Sequence, residues 1–194
     1  MSQLKTPIEI SAKHLHLCQE HVDILFGKNY QLTKKRELSQ KNYFVTEETV
    51  EVIGSKGSDN FSILIPLRKK TQVELAITDA IKLGLDQYIR DSGDIKNTGS
   101  CILKGPKGQV KLEEGVIIAA RHIHMNTNLA AENGLKDGDH VSVEIEGERA
   151  LIFKKVTIRT DESFNITMHI DTDEGNAANI NNKKLTYGKI TKED

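Results

Sequence analysis

The sequence predicts a mainly β protein with short helices, built as two small β-barrel subdomains related by an internal duplication. The first observation is a repeated motif, because residues 11–17 (SAKHLHL) and residues 119–125 (AARHIHM) are identical or similar in kind at every position. The second is that apolar and polar residues mostly alternate along short segments. A period of two residues is that of a β-strand. Short strands leave exposed edges unless the sheet closes, so a duplicated strand-rich unit favours two small barrels. An alternating α/β arrangement is the weaker alternative.

Each copy of the repeated motif has a predicted strand before it and a predicted short helix after it. Residues 8–10 (IEI) and 116–118 (VII) are rich in β-branched residues, which strands favour. The helix after the first copy covers residues 19–26 and ends at Gly27, and the helix after the second covers residues 127–133 and ends at Gly134.

Further strands are expected where apolar residues alternate between glycine-containing turns. These segments are residues 61–67, 72–77, 140–145, 150–153, 156–158 and 164–170. A turn-rich stretch, residues 91–100, lies between the two motif copies. We therefore expect a first subdomain over residues 1–98 and a second over residues 99–194.

Composition excludes several classes of protein. The chain has 194 residues, of which 37% are hydrophobic and 28% charged, as in ordinary globular proteins. Lys and Arg number 27 against 28 Asp and Glu, and no basic stripe is seen, so nucleic acid and anionic membranes are not expected partners. No apolar stretch is long enough to span a bilayer and no signal peptide is recognisable, which predicts a cytoplasmic protein. Small molecules, or further copies of the chain, are the expected partners.

The two histidine pairs of the repeated motif are the first candidate site. Side chains alternate along a strand, so His14 and His16 face one side together, as do His122 and His124. A lone His-x-His is usually an ordinary pair of histidines, but its duplication favours zinc, with His169 as a further candidate ligand. His21 and another histidine, His140, lie outside the pairs and are expected to be solvated.

Three further segments carry candidate chemistry. Glu74 lies between apolar residues, so it either needs a cation or metal partner or sits at an exposed rim. Arg68 begins a basic run suited to an anion, but in an extended chain it would be about 20 Å from Glu74, so a shared site requires a bend. Residues 91–94 (DSGD) form either a turn that binds an oxyanion or a plain type I turn.

These features by themselves leave the function open. Nucleotide-binding glycine motifs and the Gly-x-Ser-x-Gly elbow are absent from the sequence. Cys18 and Cys101 are too few for a disulfide framework and lack the spacing of a thiolate metal site. A zinc hydrolase, a metal sensor or storage module and a homo-oligomeric interaction domain are each compatible with these features.

An ordered series of motifs resembles the phosphate propanoyltransferases, the PduL-type phosphate acyltransferases, from about residue 8 to residue 180. The motifs are residues 11–17, 32–35, 68–74, 90–94, 105–108, 120–125 and 168–174. The resemblance implies two small β-barrel subdomains, a dinuclear zinc site between them, and the reversible conversion of acyl-CoA and phosphate into acyl phosphate and CoA.

The resemblance also implies roles for individual residues. One zinc ion takes His14, His16 and Glu74, and the other takes His122, His124 and His169. Arg68 holds the phosphate beside Ser92 and Gly93, while Ser11 and Asn176 contact coenzyme A.

Two departures from the family pattern are visible. Cys18 stands where serine is usual after the first histidine motif, which weakens the cap of the helix that follows. Many members carry an N-terminal amphipathic extension that targets a bacterial microcompartment of the kind used in propanediol degradation. Only about ten residues precede the first motif here, so encapsulation by that route is not expected.

Overall fold

The computed structural model describes residues 4–181 and 183–193, and most of the regular structure in that part of the chain is strand. The strands are β1 (Lys5–Ile10), β2 (His14–His16), β3 (Lys34–Glu37), β4 (Phe44–Ile53), β5 (Ser58–Ile65), β6 (Gln72–Glu74), β7 (Ile89–Arg90), β8 (Gly99–Lys104), β9 (Gln109–Ala119), β10 (His122–Met125), β11 (His140–Ile145), β12 (Leu151–Thr160), β13 (Thr167–Ile170) and β14 (Thr186–Lys192). The helices are α1 (Gln19–Phe26), α2 (Ile77–Leu83), α3 (Thr127–Glu132) and α4 (Thr172–Ala177). None of these helices is long and apolar enough to cross a lipid bilayer.

The described chain divides into two compact units. The Glu74 unit contains residues 12–38 and 42–119, and the His169 unit contains residues 4–11, 39–41 and the described residues from 120 onward. In the Glu74 unit, strands β4, β5, β2, β6, β9 and β8 pair in that order, and β8 pairs with β4 to close the ring. In the His169 unit, strands β1, β13, β10, β12, β11 and β14 form a second closed barrel. The predicted fold class is therefore confirmed.

The two barrels have the same strand plan. Strand β2 pairs parallel with β5 and antiparallel with β6, and β10 pairs in the same way with β12 and β13. Each barrel packs an apolar core inside it, with Leu15, Phe61 and Ile63 fully buried in one and Ile123, Met125 and Ile158 in the other. Closure leaves no free edge among these strands, which explains how so short a unit is stable.

The leading strand of each repeat lies in the barrel of the other repeat. Strand β9, which leads into the second motif, pairs with β6 and β8 in the Glu74 unit, while β1 pairs with β13 and β14 in the His169 unit. The predicted division into residues 1–98 and 99–194 follows the duplicated sequence and stays a prediction. By their contacts, residues 99–119 group with the Glu74 unit and residues 4–11 with the His169 unit.

Helix α1 has the predicted bounds, and α3 begins where predicted. Helix α2 was not predicted: strand β6 ends at Glu74, and residue Ile77, expected to be strand, begins the helix. Its N-cap Ala76 makes no side-chain hydrogen bond, so the usual start signal is missing.

Residues 150–153 and 156–158 were expected to be two strands, but Leu151–Thr160 is continuous as β12, with Lys155 at a positive φ of 54°.

Candidate active site

The first candidate site lies on β2 in the Glu74 unit. Strand β2 runs between β5 and β6, and its register with β6 sets His14 opposite Glu74 and His16 opposite Gln72. Directly opposite residues of an antiparallel pair project to the same face of the sheet. The short strands therefore bring two imidazoles, a carboxylate and an amide together.

His14, His16 and Glu74 form a compact ligand group. One nitrogen or oxygen from each residue lies within 4.8 Å of the others, and in residues 4–181 and 183–193 this is the one such group of three. The Nε2 atom of His14 is 3.5 Å from Oε2 of Glu74, and Nε2 of His16 is 3.9 Å from Oε1. Glu74 is only 7% exposed, so the alternative of an exposed rim position is wrong.

The donor set fits a metal ion. The Nδ1 atom of His14 lies 2.9 Å from the carbonyl oxygen of Ala12, a contact that fixes the ring orientation and turns Nε2 toward Glu74. The Nδ1 atom of His16 is buried and has no hydrogen-bond partner among the described residues.

Burial and the neighbouring His14 and Arg68 lower the pKa of His16 to about 3, which leaves a neutral imidazole. Burial alone would raise the pKa of Glu74, but the neighbouring His14, the hydrogen bond from Ser92 and the Arg68 guanidinium hold it below its usual range. Neutral imidazole and ionised carboxylate are the forms that bind metals.

Arg68 reaches the same site from the loop between β5 and β6. Its backbone N–H donates to the carbonyl oxygen of Leu17, and its NH1 group donates to Oγ of Ser92 at 2.9 Å. The same NH1 group is 3.9 Å from Oε1 of Glu74. The chain between Arg68 and Glu74 therefore bends, as a shared site requires. The Arg68 side chain is 34% exposed, so a solute can reach it.

Residues 91–94 form a turn whose inner groups already have protein partners. The N–H of Asp94 donates to the carbonyl oxygen of Asp91, and Gly93 has a φ of 104°, which a type I turn does not allow. The hydroxyl of Ser92 donates to Oε1 of Glu74 at 2.7 Å. The N–H of Gly93 donates to Oε1 of Gln72 at 2.8 Å. Gln72 was missed by the sequence analysis, although strand alternation puts it on the same face as Glu74.

The second histidine group lies at the equivalent place in the His169 unit. In the register of β10 and β13, His122 is opposite His169 and His124 is opposite Thr167. The ring centroids of the three histidines are 4.8–5.3 Å apart. The Nδ1 atom of His122 lies 2.9 Å from the carbonyl oxygen of Ala120, which repeats the contact of His14 with Ala12. His169 therefore occupies the position that Glu74 holds in the other barrel.

Two contacts around these histidines were not predicted. The ring of Phe164 lies 4.2 Å from that of His124, centroid to centroid. Arg121 forms an ion pair with Glu174 at 3.0 Å, and Glu174 completes a capping box with Asp171 at the start of α4. Both contacts join residues distant in sequence, so periodicity does not reveal them.

Ser11 and Asn176 lie beside one packing contact in the His169 unit. Ser11 follows β1, and its N–H donates to the carbonyl oxygen of Ile170. Asn176 is exposed on α4, directly after Gly175. A Cβ at Gly175 would lie 2.5 Å from Cδ1 of Ile10, so glycine allows α4 to pack closely against the end of β1.

The cysteines and the remaining histidines lie outside both ligand groups. Cys101 is buried, and burial raises the pKa of its thiol to about 12. The sulfur of Cys18 accepts a hydrogen bond from the hydroxyl of Thr71 at 3.4 Å. His140 is exposed as expected, but His21 is not simply solvated, because its Nδ1 is 2.7 Å from the same Thr71 hydroxyl.

Comparison with known proteins identifies the family. The family model described as phosphate propanoyltransferase matches residues 7–181. A phosphate propanoyltransferase of Lachnoclostridium phytofermentans is 51% identical over 186 residues, which cover 95% of this chain and 84% of that protein. Proteins of the same name in Thermotoga maritima and Alkaliphilus metalliredigens are 46% and 45% identical, over 93% and 97% of this chain and 87% and 89% of their own lengths. The chain is therefore an acyltransferase that belongs to the phosphate propanoyltransferase family.

Proposed function

We propose that the enzyme transfers a short acyl group, acetyl or propanoyl, reversibly between coenzyme A and inorganic phosphate. The observation that carries this proposal is the link from Arg68 through Ser92 to Glu74. It sets a guanidinium, which binds phosphate in a planar fork, beside a compact group of metal ligands. A hydrolase that activates water has no need for such an anion-binding group.

The proposed metal is zinc, with one ion on each ligand group. His14, His16 and Glu74 would hold one ion, and three ligands with an open position are typical of catalytic zinc. His122, His124 and His169 would hold the second, with the ligand chemistry of a three-histidine zinc site. When bound, zinc supplies a Lewis acid for the thioester carbonyl and a soft partner for the departing thiolate.

The reaction needs no acyl-enzyme intermediate. An oxygen of phosphate attacks the thioester carbonyl carbon, the bond from that carbon to sulfur breaks, and coenzyme A leaves as its thiolate. Arg68 holds the phosphate and offsets the repulsion between two anions, with the Ser92–Gly93 turn beside it. Holding both substrates in one geometry converts a bimolecular encounter into a nearly unimolecular step.

The proposed coenzyme A contacts are Ser11 and Asn176, which the family resemblance assigns. Both lie next to the close packing of Gly175 on Ile10, so α4 and the end of β1 would present them together. Asn176 is exposed and therefore accessible to a ligand of this size.

Replacing Arg68 with lysine tests the phosphate contact. The variant keeps the positive charge but loses the bidentate fork, so we expect the KM for phosphate to rise about 10-fold or more while the KM for acyl-CoA changes little. Initial rates measured against each substrate give both values. The control is Arg149→Lys, at an exposed position. An unchanged KM for phosphate in Arg68→Lys would remove Arg68 from the site.

Removing both thiols tests the direct route. Because Cys101 is buried with a raised pKa, and Cys18 lies outside both ligand groups, we expect the Cys18→Ala, Cys101→Ala enzyme to keep most of its activity. The reciprocal initial rate is plotted against the reciprocal concentration of one substrate, at several fixed concentrations of the other. The lines should intersect, as for a ternary complex. Parallel lines, or a folded but inactive double variant, would show that a cysteine carries the acyl group.

Thiol release from acetyl-CoA and propanoyl-CoA, measured with and without phosphate, tests the function itself. We expect release that depends on phosphate, together with an acyl phosphate that hydroxylamine traps as its hydroxamate. Thiol release without phosphate would instead indicate a zinc hydrolase. No release from any acyl-CoA would favour a non-catalytic metal-binding module.

A further inference from the structure

Gln72 is a buried polar side chain inside the first candidate site. It is 1% exposed, lies opposite His16 on the neighbouring strand, and precedes Glu74 by two residues. A buried amide stabilises the fold only when its hydrogen-bonding groups are satisfied. The identity of its partners therefore indicates what this residue does.

Among the described residues, every hydrogen-bond partner of the Gln72 amide belongs to the site. Its Nε2 donates to Oε1 of Glu74 and, at 2.9 Å, to Oγ of Ser92. Its Oε1 accepts the N–H of Gly93 at 2.8 Å. One side chain thus connects the carboxylate of the ligand group with the turn proposed to lie beside phosphate.

These contacts distinguish the two oxygens of Glu74. Oε1 receives two hydrogen bonds, one from Gln72 and one from the hydroxyl of Ser92. Oε2 is 3.5 Å from Nε2 of His14, while Oε1 is 3.9 Å from Nε2 of His16. With Oε1 held by two hydrogen bonds, the carboxylate keeps Oε2 directed toward His14, and hydrogen bonds of this kind orient metal ligands.

We propose that Gln72 is a positioning residue that fixes Glu74 for metal binding and, through the same amide, holds the Ser92–Gly93 turn in place. The inference rests on the proposed metal site. The inference deepens that proposal, because the ligand Glu74 and the Ser92–Gly93 turn beside phosphate would both depend on the Gln72 side chain.

The duplication supplies an internal control. Thr167 holds the equivalent position, opposite His124 in the other barrel, and its hydroxyl donates to the carbonyl oxygen of the adjacent Ile166 at 2.7 Å. That local bond does not reach the ligand histidines. Thr167→Val, which removes the hydroxyl and keeps the shape, is therefore the matched control for a change at Gln72.

The test replaces Gln72 with methionine, which keeps the length of the side chain and removes its amide hydrogen bonds. Zinc affinity of the full-length enzyme is measured by competition with a chromophoric chelator. We expect one of the two bound ions to bind about 10- to 100-fold more weakly in Gln72→Met, and neither ion to be affected in Thr167→Val. If Gln72→Met does not fold, Gln72→Asn serves, because its shorter amide cannot span the same partners.

Amide hydrogen exchange of Gly93 in the metal-free enzyme gives a second readout. This N–H is bonded to Gln72, so its exchange should become faster in Gln72→Met and stay unchanged in Thr167→Val. The double variant Gln72→Met, Ser92→Ala should weaken zinc binding by less than the product of the two single effects, since both residues hold the same oxygen.

The outcomes separate this inference from the proposed function. Unchanged zinc affinity and unchanged Gly93 exchange in a folded Gln72→Met enzyme would overturn the positioning role while leaving the function intact. A wild-type enzyme that binds no zinc would overturn the metal proposal, and with it the inference. Faster Gly93 exchange with unchanged zinc affinity would limit Gln72 to the turn and contradict its role toward Glu74.

Discussion

Replacing Glu74 with glutamine is expected to lower the rate of phosphate-dependent thiol release by about 1,000-fold or more and to remove one metal ion per chain. The carboxylate is the charged member of the ligand group, and a neutral amide is a much weaker ligand. A metal that stabilises transition-state charge contributes several kcal/mol, and each 1.36 kcal/mol is a factor of about ten in rate. Steady-state kinetics and elemental analysis of the same preparation measure both effects.

The control for this variant is Glu113→Gln. Glu113 is exposed and forms its ion pair with Lys111 at the surface. We expect this enzyme to keep its rate and its metal content. A Glu74→Gln enzyme that retained both ions and full activity would show that Glu74 is not a ligand.

Replacing His169 with alanine is expected to have an effect of similar size. His169 lies opposite His122, in the place that Glu74 occupies opposite His14, so its loss should remove the ion from the second group. About two to three orders of magnitude in rate should be lost if that ion takes part in transfer. Metal content and kcat, measured together, separate loss of the ion from a loss of stability.

His140→Ala is the matched control, because His140 is exposed and lies outside the ligand groups. Full activity in the His169→Ala enzyme with one ion fewer would mean that the second metal is structural. Full activity with an unchanged metal content would remove His169 from the ligand set.

The two histidine pairs could be predicted from the sequence because their shared face depends on local geometry. Two histidines separated by one residue must share a face of a strand, and the duplication marks both pairs. The glycine after α1 likewise predicts where that helix ends, as the structure shows.

Other features depend on long-range pairing, which periodicity does not report. Strand β1 belongs to the first repeat but pairs with β13 in the His169 unit, and β9 belongs to the second repeat but pairs with β6 in the Glu74 unit. Only the strand pairing shows this, so a division at residue 98 drawn from the sequence could not reveal it. Gln72 was overlooked because an amide two residues before a carboxylate suggests no chemistry until Ser92 and Gly93 are brought beside it. Helix α2 was overlooked because its capping residue is an alanine.

The metal content of the active enzyme tests most directly whether transfer depends on these two ligand groups. Elemental analysis of protein purified without a tag should give close to two zinc ions per chain, since the two proposed groups would each supply three ligands. Chelation should remove the ions and the phosphate-dependent activity together, and added zinc should restore both. An enzyme with full phosphate-dependent acyl transfer and no bound metal would contradict the assignment of both groups.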